Sequence, residues 1–128
     1  MIKWELPIKT VSEANSSEHW SAKAKRRRQQ QFLIRFLFRH DATQITMPCT
    51  VKMTRIGVRD CDSDNLVSAF KGIRDELSEY LIPESQGHYI NKKGKMVKIK
   101  GRADSDPRIK WEYAQEKGKS YGVRIEIF

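Results

Sequence analysis

Hydrophobic and polar residues alternate with a period of two in four stretches of the chain, and this pattern predicts β-strands. The four stretches are residues 2–9, 45–58, 108–115 and 121–128. Pro7 favours an edge position or an early end for the first strand. In the second stretch Val51 and Met53 are predicted to face inward, as are Ile56 and Val58. The broken alternation near Gly57 indicates a bulge or a strand end.

Two further stretches have the 3.6-residue spacing of amphipathic helices. In residues 18–40 the apolar residues Phe32, Leu33, Phe36 and Leu37 are predicted to form a core-facing stripe. Residues 66–81 place Leu66, Ala69, Phe70, Ile73 and Leu77 on one face. The elements together predict an α+β fold in one domain over residues 1–128, with a mixed β-sheet and two main helices on one face.

Residues 83–103 form a polar insertion whose flanks alternate about a Lys-Gly turn, which predicts a β-hairpin. The turn carries Lys92, Lys93 and Lys95. A basic hairpin of this kind suits guidance of a polyanion, and an ordinary solvated hairpin fits the pattern equally well.

The charge balance points to an anionic partner. The chain has 25 Lys and Arg against 16 Asp and Glu, a net charge of +9. Nucleic acid is the first expectation, an anionic membrane surface is the second, and a solvated basic surface is the alternative to both. Since no apolar run approaches the roughly 20 residues of a membrane span, we expect a cytoplasmic protein that does not insert in a membrane.

Aspartates are concentrated directly before the second helix, at Asp60, Asp62 and Asp64. In an extended segment Asp62 and Asp64 would share a face, and such a pair can hold a hard cation such as Mg²⁺. Asp104 and Asp106 repeat the spacing before another strand. If the two segments adjoin, the carboxylates converge and suit metal-assisted phosphodiester hydrolysis. The alternative is that Asp62 and Asp64 only cap the helix and complement its dipole.

Lys71 is the candidate cation for the same site. It lies seven residues after Asp64, about 10 Å along a helix at roughly 1.5 Å per residue, and its side chain leans back toward the N-terminus. It could stabilise charge that develops on a phosphate. The alternative is an i,i+4 ion pair with Asp75 on a solvated face.

Several motifs together resemble the RusA family of Holliday junction resolvases. They are Asp62-Ser63-Asp64-Asn65 at the start of a helix, Asp106 before a strand, the closing run 123–127, the run 111–118, and Asn15, His19, Trp20 and Lys23 before a basic helix. The similarity covers most of the chain outside residues 83–103. The order of the elements also matches.

The resemblance implies a homodimeric endodeoxyribonuclease of phage or prophage type, associated with the bacterial nucleoid. Such an enzyme uses Mg²⁺, with Mn²⁺ as a substitute, and resolves four-way DNA junctions by paired nicks in recombination and repair. Carried over, Asp62, Asp64 and Asp106 would be the catalytic and metal-binding residues, and Asn65 follows them at the helix start. The insertion at residues 83–103 departs from the family pattern.

The catalytic lysine is a second departure from the family pattern. Ser68 stands where the family has that lysine, and Lys71 is the candidate replacement, with Asp75 and Asp104 in secondary roles. The expected DNA-binding residues are Asn15, His19, Lys23, Lys25, Arg26, Arg27, Lys92, Lys93 and Lys95. The competing hypothesis is a non-catalytic DNA- or RNA-binding basic domain with a RusA-like fold.

Overall fold

The protein is a single α+β domain, and its described residues form three helices and a mixed four-stranded sheet. The computed structural model describes residues 2–10, 19–40, 45–82, 88–98 and 105–128. In chain order the elements are β1 Ile2–Leu6, α1 Trp20–His40, β2 Cys49–Gly57, α2 Ser63–Ala69, α3 Lys71–Leu81, β3 His88–Ile90, β4 Met96–Lys98, β5 Ile109–Lys117 and β6 Gly122–Ile127.

The strand order of the main sheet is β1-β6-β2-β5. β6 is antiparallel to both β1 and β2, whereas β2 and β5 are parallel. Three strands, β1, β2 and β5, therefore run in one direction, and their carboxyl ends lie at one edge of the sheet. We call this edge the carboxyl end. The register of β2 with β5 is regular from Cys49↔Ile109 to Gly57↔Lys117, so the predicted irregularity near Gly57 is a strand end.

The alternation of hydrophobic and polar residues correctly predicted most core positions of the sheet. Val51, Met53, Val123, Ile125 and Ile127 are all buried on the face that the helices cover. The prediction for Val58 is wrong because β2 ends at Gly57, and the Val58 side chain is 52 % exposed.

The second predicted helix is divided at Phe70 into α2 and α3. Its apolar face nevertheless remains continuous, since Leu66, Phe70, Ile73 and Leu77 are all in the core. Arg74 fastens α3 to β5: it donates a 2.8 Å hydrogen bond to the hydroxyl of Tyr113, and its guanidinium lies 4.8 Å from the ring centroid of Trp111.

The core-facing stripe predicted for α1 is only half correct. Leu33 and Leu37 pack against the core together with the fully buried Ile34, but Phe32 and Phe36 are 65 % and 52 % exposed. The reason is that α1 turns a face centred on Gln30 and Ile34 toward the rest of the domain. Among the helices of the described residues, none is long and apolar enough to cross a membrane.

Candidate functional site

The loop that carries the aspartates follows the carboxyl end of β2 and is held to β5 by Gln115. The backbone N–H of Cys61 donates to Gln115 Oε1 at 3.0 Å, and Gln115 Nε2 donates to the carbonyl oxygen of Cys61 at 2.9 Å. Arg55 also donates to the carbonyl oxygen of Arg59 at 2.7 Å. The two reciprocal hydrogen bonds with Gln115 fix Cys61, the residue before Asp62. No periodicity in the sequence marks Gln115 for such a positioning role.

Asp62 is the N-cap of α2. Its Oδ1 accepts a 3.0 Å hydrogen bond from the backbone N–H of Asn65, and Asp64 lies in the first helical turn. The expectation that Asp62 and Asp64 share the face of an extended segment is wrong, because the helix already begins at Ser63. Both side chains are exposed. A carboxylate has about four lone-pair sites, so capping leaves Asp62 with acceptor capacity for a cation.

Asp106 lies at the opposite end of the sheet from the Asp62–Asp64 pair. It precedes β5, whose first residue, Ile109, pairs with Cys49, whereas Cys61, the residue before Asp62, bonds to Gln115 near the other end of that strand. Six residues of strand separate Ile109 from Gln115, which is roughly 20 Å at about 3.3 Å per residue. The three carboxylates therefore do not converge within one chain. In the part of the chain that the structure describes, no group of three metal-ligating side chains forms.

The Asp106 carboxylate instead holds the turn that enters β5. Its Oδ1 accepts hydrogen bonds from the backbone N–H and from Nε of Arg108, at 3.0 and 3.1 Å, and its Oδ2 lies 3.0 Å from a terminal guanidinium nitrogen of Arg108. A neighbouring hydrogen bond from the N–H of Cys49 to the carbonyl oxygen of Arg108 joins this turn to β2. Asp104 lies outside the described residues.

Lys71 is the first residue of α3 and is exposed. Asp75 lies one turn later, half-buried, and the hydroxyl of Ser78 donates to its carbonyl oxygen at 2.8 Å. The break at Phe70 separates Lys71 from the helix that carries Asp64, so the separation expected along one continuous helix does not apply to these two residues. Ser68, where the RusA lysine is expected, is half-buried on α2.

We call the N-terminal half of α1 its basic half, because it carries Lys23, Lys25, Arg26, Arg27 and Arg28. This half lies at the same end of the molecule as the aspartates. α1 packs against α3 with Gln30 and Arg27 near Gly72 and with Arg35 near Glu76, so the two helices run in the same direction. The first turns of α1 therefore extend past the start of α3 toward α2 and Asp62. Of the cations expected to bind DNA, Lys25 and Arg27 are exposed, and Lys23 and Arg26 are half-buried.

His19 directly precedes this helix. Its Nδ1 accepts from the backbone N–H of Ser21 at 3.2 Å, its carbonyl oxygen accepts from the N–H of Ala22 at 3.0 Å, and its ring lies 5.4 Å from that of Trp20. These local hydrogen bonds are typical of a helix start, so a purely structural role is enough to explain a histidine at this position. Asn15 lies outside the described residues.

The predicted hairpin is confirmed for residues 88–98. β3 and β4 pair antiparallel, and the side-chain Oδ1 of Asn91 accepts from the N–H groups of Lys93 and Lys95, both at 3.0 Å. Gly94 has a φ of 75°, a left-handed conformation that favours glycine. The side chains of Lys92, Lys93 and Lys95 are exposed at the tip.

A groove of about 860 Å³ runs between α1 and the segment that follows β1. Its lining combines cations with aliphatic and aromatic side chains. The residues are Pro7, Ile8, Lys9, Lys25, Arg26, Arg28, Gln29, Gln30, Phe32 and Leu33. Because β1 is parallel to β2, the segment after β1 also lies at the carboxyl end, and this end therefore carries the cations of the groove as well as the aspartate loop.

Comparison with known proteins leaves the family unassigned. No family model matches the chain, and no curated protein or solved structure matches it either. The resemblance to the RusA family therefore stays a hypothesis that rests on the residues named above.

Proposed function

We propose that the protein is a Mg²⁺-dependent endodeoxyribonuclease that cuts branched DNA, with the four-way junction as its substrate. The observation that carries this proposal is the exposed pair Asp62 and Asp64 at the carboxyl end of the sheet, the end at which the basic half of α1 also lies. Ligands of open α/β sheets bind outside the carboxyl ends of the strands. Two carboxylates can bind a cation, and basic side chains at the same end of the domain can bind a phosphodiester.

The residues present fit a magnesium ion. Mg²⁺ prefers oxygen ligands and usually takes one or two protein carboxylates while it keeps several waters, and Asp62 and Asp64 offer two. A bound ion would neutralise charge at phosphorus and orient the attacking water. Asp106 is left out of this centre, because its own chain holds it at the far end of the sheet.

The remaining roles belong to cations of the chain. Lys71, exposed at the start of α3, is proposed to stabilise charge that develops on the phosphate oxygens. Lys25, Arg26 and Arg27 are proposed to bind the DNA backbone, as are the three lysines of the hairpin tip. Backbone contacts supply affinity without reading sequence, so selection of substrate would rest on the branched shape.

The RusA resemblance adds a homodimer to the proposal. A four-way junction offers two equivalent strands, and a two-fold dimer presents two copies of one site. Each copy would cut one strand, and the paired nicks would resolve the junction.

The second candidate function is nucleic-acid binding without cleavage. Two observations favour it: Asp106 is distant from Asp62 and Asp64, and Ser68 occupies the position of the family's lysine. In this alternative Asp62 is a helix cap and nothing more, and the basic surface binds DNA or RNA.

Cleavage of labelled DNA by the purified protein separates the two candidates. The substrates are a four-way junction, a fork and a linear duplex of matched length, each incubated with Mg²⁺, with Mn²⁺ and with a chelator. The endonuclease proposal expects metal-dependent nicks in the junction, few or none in the duplex, and none with the chelator. Binding of all substrates with no metal-dependent product would refute the endonuclease and leave the binding protein.

A further inference from the structure

The helix α1 begins with an aromatic ring that the protein leaves in solvent. Trp20 is 74 % exposed, whereas Trp4 is 4 % exposed and Trp111 lies half-buried beneath Arg74. An indole is a large apolar surface. The position of Trp20 in the helical pattern does not show whether its ring faces the core or the solvent, so the sequence alone assigns this ring no role of its own.

Two cations stand beside this ring. Lys23 and Arg27 follow Trp20 at three and seven residues, so they lie on the same side of the helix. Together with Ala24 these three residues line a pocket of about 330 Å³. Because Ala24 has only a methyl side chain, it takes up little of this space.

Arg27 is held in place from the neighbouring helix. A Cβ atom at Gly72 would stand 3.3 Å from Cγ of Arg27 and 3.1 Å from Oε1 of Gln30, so α3 touches α1 closely only because residue 72 is a glycine. The aliphatic part of Arg27 therefore packs against α3, while the residue as a whole remains exposed. One wall of the pocket thus rests on a helix–helix contact.

An exposed aromatic face with two adjacent cations has the chemistry of a nucleotide site. We infer that Trp20, Lys23 and Arg27 bind an unpaired nucleotide, with its base stacked on the indole and its flanking phosphates at the two cations. Bases of an intact duplex are stacked on one another, so only an unpaired base offers its face to a side chain. Stacking on aromatic rings combined with cations along the backbone is the general mode of single-strand binding.

This inference deepens the proposed function and rests on it, because it assigns the feature of branched DNA that the protein recognises. The first turns of α1 point toward the start of α2, so the pocket and the Asp62–Asp64 pair lie at the same end of the domain. A strand that unpairs at the branch point and places one base on Trp20 would continue toward the aspartates. The larger groove beside Ile8 and Phe32 carries no such assignment, since nothing in the structure shows what covers it.

Binding to two single-stranded probes tests the stacking site without any need for cleavage. The probes are a short oligothymidylate and an oligonucleotide of the same length that lacks bases. Trp20→Ala should weaken binding of oligothymidylate about 5- to 160-fold, the range of one lost base–aromatic stack, and should not change binding of the abasic probe. Trp20→Phe should restore most of the affinity.

Removal of the two cations should affect the two probes differently from removal of the indole. Replacing Lys23 and Arg27 together by alanine should weaken both probes equally and should reduce the slope of log K against log salt by about 1.4, since each lost single-strand contact contributes roughly 0.7. Phe32→Ala is the matched control for an exposed aromatic on the same helix and should change neither probe. Oligothymidylate should also quench the tryptophan fluorescence of the wild type and not that of Trp20→Phe.

Equal losses on both probes for Trp20→Ala, or no loss on either, would overturn the stacking site. Failure of the endonuclease is a separate outcome: a protein that nicks no junction but shows the base-dependent loss keeps the stacking site. A protein that nicks junctions with wild-type affinity after Trp20→Ala keeps the endonuclease and loses the stacking site.

Discussion

Charged side chains on the face of the sheet away from the helices pair with one another across the strands. Arg124 on β6 contacts Glu116 on β5 through two guanidinium nitrogens, at 2.7 and 3.2 Å, and contacts Glu5 on β1 at 3.1 Å. Thr54, on the strand between β6 and β5, is 2 % exposed in the midst of this group. The hydrogen bonds from Arg124 hold the pKa of Glu116 below its usual range, and the two carboxylates raise the pKa of Arg124.

This pair predicts a pH-dependent contribution to stability. Because the pKa of Glu116 is lower in the folded than in the unfolded protein, the contribution is present above the ordinary value of 4.5 and is lost as pH falls through the folded value. Glu116→Gln should therefore lower the urea midpoint at about pH 7, and the difference from the wild type should shrink as the pH is lowered toward about 3. Glu126→Gln, which removes a carboxylate from β6, the strand that carries Arg124, is the control. An unchanged gap between wild type and Glu116→Gln at the two pH values would contradict the pairing.

Among the helices, the contact that sets the position of α1 is the approach of Arg27 and Gln30 to Gly72. Glu76 adds to it as a buried carboxylate, 4 % exposed, that accepts a 2.9 Å hydrogen bond from Nε of Arg35. The hydrogen bond with Glu76 raises the pKa of Arg35. The two contacts, at Gly72 and at Glu76, fix both the spacing and the direction of α1 relative to α3.

A side chain at residue 72 should force these helices apart. Gly72→Val is expected to lower the free energy of unfolding by about 1–3 kcal/mol, the usual cost of overpacking, although valine is the better helix former. Urea denaturation measures the change, and Glu79→Val, on the same helix and half-buried, controls for the introduction of valine. Wild-type stability of Gly72→Val would show that the contact is not tight.

The local periodicities predicted the elements well and the relations between them poorly. Alternation predicted β2, β5 and β6 and most of their inward residues, because every second residue of a half-buried strand faces the core. It could not show that Phe32 and Phe36 face solvent, because that depends on where α3 contacts α1. Nor could the repeated Asp-Ser-Asp spacing show that Asp106 lies at the far end of the sheet, since this follows from the parallel pairing of β2 with β5.

At the scale of the whole molecule, the two ends of the sheet differ in what they offer. The carboxyl end gathers the aspartate loop, the first turns of α1 and the segment after β1, whereas the other end carries Asp106 in its local pairing with Arg108. The net charge of +9 favours an anionic partner. We propose that DNA binds at the carboxyl end of the sheet and is cut there.

Junction cleavage by two matched variants, Asp64→Asn and Asp106→Asn, tests this claim most directly. Each removes one carboxylate charge, and binding of the uncut junction in the presence of chelator shows that each variant is folded. We predict that Asp106→Asn nicks the junction with Mg²⁺ and that Asp64→Asn binds it at least as tightly as the wild type without nicking it. Loss of nicking by a folded, DNA-binding Asp106→Asn, or wild-type nicking by Asp64→Asn, would contradict the account.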